Sequence, residues 1–266
     1  MQTLELLICT IDEGIEATPH ILLPQRQDVR YLISWQQDRI KAHDIPEVLR
    51  KRDDVRVVEM QGRGLAANRN NALAHATGDV LLLSDDDTQY RMEYFDRILQ
   101  AFATHPEADF ICFQGLDLTG GPIRPYPSQP FFYENRPYGV YYCSWEIAFR
   151  RSPQVPHFDV RFGLGSDYLS CGEEEIFIHD AYLRGLKILY LPIPIVETDK
   201  NTTGTLFLQS PGVQRAKGAV LCYMHGEIGA LLRCIKYTLC LKGKVPRLKI
   251  LRNLIDGIRF IKRTTP

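Results

Sequence analysis

The sequence predicts an α/β fold, a mixed but mostly parallel sheet flanked by helices, followed by a helical C-terminal segment. Three observations lead there. Apolar runs of strand length alternate with helix-period segments through the first two thirds of the chain, as parallel β-α-β units do. One run, Gly78-Asp79-Val80-Leu81-Leu82-Leu83-Ser84-Asp85-Asp86-Asp87, ends abruptly in three carboxylates. After Gly204 the pattern stays helical to the end.

The elements follow in order. Leu4–Thr10, Tyr31–Ser34, Val55–Glu59, Val80–Ser84 and Asp109–Gln114 read as short buried strands. Leu65–Ala76 and Tyr90–Thr104 read as helices, with part of a third at Glu47–Arg52. From Thr119 to Gly139 the texture changes to a loop rich in proline, glycine and aromatics, including Phe131, Phe132, Tyr133 and Tyr138. Such a loop either lines a cleft or packs on the sheet. Tyr141–Arg150 reads as a strand that carries Trp145. A helix from about Glu174 to Arg184 stops at Gly185, a C-terminal glycine cap. Lys187–Leu191 is a further strand, closed by Pro192 and Pro194. The boundary between an α/β body, 1–205, and a basic helical segment, 206–266, follows from this change of texture.

At 266 residues the chain can bury one large core with an appended subdomain. Its formal net charge is zero, but residues 211–266 hold 12 Lys and Arg against only Glu227 and Asp256. An acidic body with a basic tail suits an anionic partner for the tail. The seven cysteines form no Cys-x-x-Cys pair and several sit in apolar runs, so neither a zinc site nor a disulfide framework is expected. The N-terminus enters Leu4-Glu5-Leu6-Leu7-Ile8 without a basic region or cleavage site, so no secretory signal is read there. Residues 218–241 are interrupted by His225, Glu227, Arg233 and Lys236, which argues against a spanning helix. The expected location is the cytoplasm or the inner face of the plasma membrane.

The carboxylate triplet carries the chemistry. Ligands of open α/β sheets sit at the carboxyl ends of strands. Aspartates spaced i and i+2 on extended backbone point the same way. They offer hard oxygens to one Mg²⁺ or Mn²⁺ shared with a substrate's phosphates. The plainer reading of such a triplet is N-capping of the following helix. Glu173-Glu174-Glu175 allows the same plain reading, because acidic residues favour a helix N-terminus.

Taken together these segments resemble the family 2 glycosyltransferases, which have the GT-A (nucleotide-diphospho-sugar transferase-like) fold. The resemblance runs over residues 4–205 and rests on four segments in order: Cys9-Thr10-Ile11-Asp12, Gly64-Leu65-Ala66-Ala67-Asn68-Arg69-Asn70, Asp85-Asp86-Asp87, and Gly172-Glu173-Glu174 with Gly185 beyond it. It implies a nucleotide-diphosphate sugar as donor, contacted by Thr10, Asp12, Arg69, Asp85 and Asp86. It implies a Mn²⁺ or Mg²⁺ ion on Asp87 with Asp85 nearby, and Glu174 as general base toward the acceptor hydroxyl. One base with a leaving-group metal means a single displacement, hence inversion at the anomeric carbon. Trp145 and Glu173 are the candidate acceptor-side residues, Trp145 through stacking on a sugar face or else as a core residue.

The chain departs from the family pattern in two places. Where an acidic residue commonly contacts the base after the second strand, it has Ser34-Trp35-Gln36-Gln37, which leaves Gln36 or Trp35 for that contact. Where a histidine commonly ligates the metal it has Thr198, which leaves Glu197 or Asp199 as the ligand, or a metal held by fewer protein groups. The acceptor implied is a glycan or a lipid-linked acceptor, in bacterial surface polysaccharide synthesis. The stripe Leu248, Leu251, Ile255 and Ile258, set among Lys and Arg, suits an anionic membrane surface or packing on the body or on another subunit. No nucleic-acid motif accompanies the charge, so nucleic acid is not an expected partner. The competing readings are a nucleotidyltransferase, which lacks its Gly-rich basic loop here, and a non-catalytic nucleotide-sugar-binding module, which would not need a base.

Overall fold

The computed structural model describes residues 2–38, 43–199 and 203–264. Its contacts divide it into two compact units. The first comprises Met1–Arg63, Ala67–His157 and Asp180–Lys200, and the second Gly64–Ala66, Phe158–His179 and Asn201–Pro266.

The first unit is built on an eight-stranded sheet. In chain order the elements up to the last strand are β1 (Leu4–Ile11), β2 (Val29–Gln37), α1 (Glu47–Arg50), β3 (Val55–Gln61), α2 (Leu65–His75), β4 (Val80–Asp85), α3 (Met92–Thr104), β5 (Phe110–Asp117), β6 (Phe131–Phe132), β7 (Ile147–Arg150), α4 (Glu173–Leu183) and β8 (Ile188–Thr198), of which the start of α2 and residues 173–179 of α4 fall in the second unit. The strand order is β3-β2-β1-β4-β7-β5-β8-β6. β1 pairs in parallel with β2 and β4, and β2 with β3. β7 runs antiparallel between β4 and β5. β1, β2 and β4 are buried along almost their whole length, which is why they read as unbroken apolar runs. β3 lies at the edge, and its burial alternates. α3 lays Tyr94, Phe95, Ile98, Ala101 and Phe102 into the core, the one-sided spacing of an amphipathic helix.

Register fixes the site. Cys9 stands opposite Ser34 on one side and Asp85 on the other, and Ile11 stands opposite Gln36. The carboxyl ends of β1, β2 and β4 therefore meet at one sheet edge, where this class of sheet binds its ligands.

Three expectations are corrected. β8 does not close at Pro192 but runs through Pro192 and Pro194 to Thr198; its pairing with β5 shifts register between Cys112 and Gly115, and these irregularities absorb residues that donate no ladder hydrogen bond. The strand expected from Tyr141 begins only at Ile147, because Ser144–Glu146 forms a 3₁₀ turn. Tyr90 lies before α3 rather than in it, buried beside Phe95 with ring centroids 5.5 Å apart. The aromatic loop packs on the sheet: Phe131 and Phe132 form β6 against β8, and Phe131 stacks on Tyr190 at 4.7 Å.

The second unit is dominated by α5 (Pro211–Cys240) and α6 (Arg247–Thr264). Ser210 caps α5 by accepting from the Val213 N–H at 3.3 Å, and Pro211 fills the first helical position. Gly226, at φ 69 and ψ 174, breaks α5 into two helical segments. α6 buries Ile250, Leu254, Ile258 and Ile261 in a cluster with Ala216, Ala219, Cys222, Ala230 and Cys234 of α5. The apolar stripe of α6 is thus turned onto its neighbouring helix, and Leu248, expected within the stripe, is 76% exposed. Two glycines set the approach. A Cβ at Gly218 would stand 1.9 Å from the Leu254 carbonyl oxygen, and one at Gly257 1.9 Å from that of Arg215. Among the described residues no helix is long and apolar enough to cross a membrane. All seven cysteines are free thiols.

Gly218→Ala decides between two effects. In an exposed helix it would add about 1 kcal/mol of stability through helix propensity. Here the backbone contact wins, and overpacking should cost about 1–3 kcal/mol, read as a lower urea midpoint.

Candidate active site

The three aspartates at the end of β4 have three different surroundings. Asp85 is held by protein on both oxygens: Arg69 donates to Oδ1 at 2.9 Å and the Ser144 hydroxyl to Oδ2 at 3.0 Å. Arg69 is 2% exposed, so it is neither a surface arginine nor one that reaches freely for phosphates. A buried guanidinium needs a carboxylate, and Asp85 supplies one. Asp86 accepts at Oδ2 from the Thr10 hydroxyl at 2.6 Å. Burial raises its proton affinity, as does the charge of Asp85, against the Thr10 hydrogen bond. Asp87 reaches solvent. Its carboxyl too is raised, by desolvation first and then by the charges of Asp85, Asp86 and Asp199.

The turn after the triplet is fastened at both ends. The Thr88 hydroxyl donates to the Asp85 carbonyl at 2.8 Å. Gln89 and Glu197 exchange backbone hydrogen bonds of 2.8 and 2.9 Å, which lays the C-terminal end of β8 beside the triplet. This explains the charge of Asp199 at Asp87. The Glu197 side chain is used elsewhere, accepting from Tyr94 and pairing with Arg91 at 2.7 Å. Burial alone would raise its carboxyl, but these partners hold it below the ordinary value. Glu197 is thereby withdrawn as a metal ligand; Thr198 is 3% exposed, and Asp199 is the exposed carboxylate of that segment.

On the β1 side, the Thr10 carbonyl accepts from Asn68 Nδ2 at 3.0 Å. Asp12 adopts φ 47, its carbonyl accepting from Trp35 Nε1 and its carboxylate from the Asp38 N–H, each at 2.9 Å. Gln36 is buried, and its Nε2 finds no acceptor among the described residues. Gly14 crowds the pair below it: a Cβ there would lie 2.3 Å from Thr10 Oγ1 and 2.7 Å from Asp86 Oδ2.

Trp145 does not offer a ring to solvent. It is 4% exposed and lies on Gly115, where a Cβ would come within 2.2 Å of its ring, so the core reading of this residue holds. Its neighbour Glu146 is fully buried, paired with Arg124, hydrogen-bonded by Tyr126 and by the Cys143 N–H at 2.8 Å. The Arg124 guanidinium lies 4.6 Å from the Tyr126 ring and 4.5 Å from that of Tyr141. This cluster ties the aromatic loop to the turn that presents Ser144.

In the second unit, Gly172 at φ 93 leads into Glu173 and Glu174, the first residues of α4. Glu173 is buried, its carboxyl beside Gly163, while Glu174 is partly exposed. Burial and the charges of Glu173 and Glu174 push the Cys171 thiol up to about 12.

Sequence reasoning missed Ser144, Gly14 and the Arg124–Glu146 pair, and it quoted Asn68 within a segment without giving it a role. Gly14 carried a weak signal, a small residue just past a strand that ends in Thr10. The others carried none locally.

A divalent ion is the group this fold implies. Among the described residues no three His, Cys, Asp or Glu side chains are arranged to hold one. The donors fit an ion held mainly by substrate: Asp86 and Asp87 are crowded carboxylates whose repulsion a cation relieves, and Mg²⁺ and Mn²⁺ take one or two carboxylates with phosphate and water oxygens.

The family model described as glycosyl transferase family 2 matches residues 40–153, which include the aspartate triplet, Arg69 and Ser144. Over that stretch, less than half of its length, the chain is similar to the family 2 glycosyltransferases. S. aureus TarS superposes on the whole chain with a TM-score of 0.60 at 16% identity, the chain spanning 49% of that protein's length. A 1–349 form of TarS in complex with UDP-GlcNAc gives 0.60 at 16% identity, with 100% of this chain and 82% of that one covered. The same form in complex with UDP gives 0.58 at 15% identity, with 99% and 92% covered. The GT-A architecture implied by the sequence resemblance is thus the fold of this chain. No curated protein sequence matches it closely.

Two outcomes test the site. Arg69→Leu should cost about 1.5–3 kcal/mol in urea unfolding, because it removes the charge-assisted hydrogen bond on Oδ1 of the partly exposed Asp85. Asp87→Asn should raise the melting temperature of the ligand-free protein at pH 7. The folded state raises the Asp87 carboxyl, so it binds more protons than the unfolded chain, and stability falls as pH rises through the window above the ordinary carboxylate value. The gain from Asp87→Asn should vanish below that window, where both states are protonated.

Proposed function

We propose that the protein is an inverting glycosyltransferase that moves a sugar from a nucleoside-diphosphate donor to a hydroxyl of a glycan or lipid-linked glycan, with Mg²⁺ or Mn²⁺ at the diphosphate. The observation that carries this reading is the division of labour within the triplet. Asp85 is committed to Arg69 and Ser144, while Asp86 and Asp87 are crowded carboxylates at the ligand edge of a family 2 segment. Support also comes from the likeness in fold to a protein crystallised with UDP and with UDP-GlcNAc.

In this reading Asp87 holds the cation, with Asp86 as the adjoining donor. The cation would offset the charge that grows on the departing diphosphate. Thr10 orients Asp86 by its 2.6 Å hydrogen bond. Arg69 and Ser144 orient Asp85 toward the donor ribose. Asp12, held in a left-handed conformation, and the buried Gln36 form the wall toward the base. Glu174, the partly exposed first-turn carboxylate of α4, takes the acceptor proton, and Glu173 beneath it supports the helix start. An acceptor in bacterial surface polysaccharide synthesis is the class this reading favours.

The test is nucleoside diphosphate release from a panel of sugar nucleotides with Mn²⁺ or Mg²⁺. Asp87→Asn should lower turnover at least 100-fold and abolish its metal dependence. Glu174→Gln should lower turnover by a similar factor while leaving donor binding by calorimetry within about threefold; a base is worth about 10²–10⁴ in rate. Pyrophosphate consumption in place of diphosphate release would instead identify a nucleotidyltransferase, and binding without turnover a non-catalytic module.

A further inference from the structure

The second half of α5, residues 227–240, carries two apolar faces. One is satisfied: Ala230, Cys234 and Thr238 are buried, the first two in the cluster shared with α6. The other is not. Ile228, Leu231, Leu232, Ile235 and Leu239 are all exposed, with Ile228 at 77%, Leu232 at 64% and Leu239 at 71%. At about 100° per residue these five fall within one continuous stripe about 100° wide. Leu248, 76% exposed at the start of α6, adds a sixth large apolar side chain outside the core. Scattered exposed leucines need no explanation, but a contiguous stripe does.

Charge indicates what covers it. Lys236 flanks the stripe, Arg233 lies beyond it, and the connection to α6 and its first turn add Lys242, Lys244, Arg247 and Lys249, all exposed. The only acids of residues 211–266 are Glu227 and Asp256. Both are engaged, Glu227 with Lys262 and Asp256 with Arg259 at 3.3 Å. No carboxylate therefore neutralises the cations bordering the stripe from within this segment. A water-soluble protein partner could match an apolar stripe alone. A basic border around it is complementary to an anionic, apolar-cored surface.

We propose that the 228–239 face of α5 and the basic 242–249 turn form a docking surface for anionic lipid, on which the helix lies in the plane of the bilayer. The break at Gly226 separates this segment from the N-terminal half of α5, which carries Gly218 and the packing against Leu254. The lipid-facing segment can thus be substituted without touching that packing. The inference does not rest on glycosyl transfer, and its failure would leave the donor chemistry standing.

The full chain should be sedimented with vesicles of phosphatidylcholine alone and of phosphatidylcholine with phosphatidylglycerol. The expected result is recovery in the pellet only with the phosphatidylglycerol vesicles, falling in 1 M salt. Leu232→Glu with Leu239→Glu should reduce the bound fraction at least tenfold, and Lys242→Glu with Lys244→Glu at least threefold. Diphosphate release in vesicle-free solution and the urea midpoint should be unchanged in both, which separates lost docking from lost folding. Wild-type protein that stays in the supernatant overturns the proposal. So does a leucine variant that pellets like wild type. Light scattering that finds a wild-type dimer, made monomeric by the leucine variant and indifferent to vesicles, would identify the face as a contact between copies and equally overturn it.

Discussion

A buried guanidinium organises the ligand edge of this sheet. Arg69 sits at 2% exposure on α2, and a charge so placed is tolerated only with a partner that repays its lost hydration. Asp85 is that partner, and its second oxygen is taken by Ser144 from the turn before β7. One carboxylate thereby joins a helix, the central strand and the antiparallel insertion. Its two neighbours, Asp86 and Asp87, are left crowded together with their charge only partly relieved. Arg69 acts on the site from below, through the carboxylate it fixes.

Topology supplies the rest. β7 enters antiparallel between β4 and β5, so the turn that precedes it arrives at the carboxyl end of β4 and brings Ser144 there. The Gln89–Glu197 backbone pair brings in the end of β8, and with it Asp199, 112 positions further along the chain than Asp87. Glu146, fully buried and held by Arg124 and Tyr126, keeps the Ser144 turn tied to a long aromatic loop that would otherwise have little regular structure. Three long-range connections thus converge on a segment whose own sequence is only a strand and a turn.

That convergence sets what could be read in advance. β1, β2 and β4 were legible because strands covered on both faces are written as uninterrupted apolar runs, and the carboxylates stood out by ending one of them. α3 was legible from its spacing, although the buried Tyr90 mimicked an extra helical position. Pro192 and Pro194 misled because their cost depends on a register shift in β5, a property of the partner strand. The stripe of α6 was misphased because Gly218 and Gly257, rather than the count of leucines, choose which side of that helix meets α5. Trp145 was ambiguous until Gly115 appeared beneath its ring. The engagement of Glu197 by Arg91 and Tyr94 depends on a pairing between segments more than a hundred residues apart, for which no local pattern exists.

The conformation of Asp12 narrows the alphabet just past the end of β1. With φ at 47, its Cα sits where a β-branched or bulky side chain meets the following carbonyl, a region that glycine enters freely and Asn and Asp enter at small cost. Glycine would keep the bend but lose the acceptor for the Asp38 amide. Asn would keep both. Drift at this position is thus confined to a polar pair, an acid or its amide.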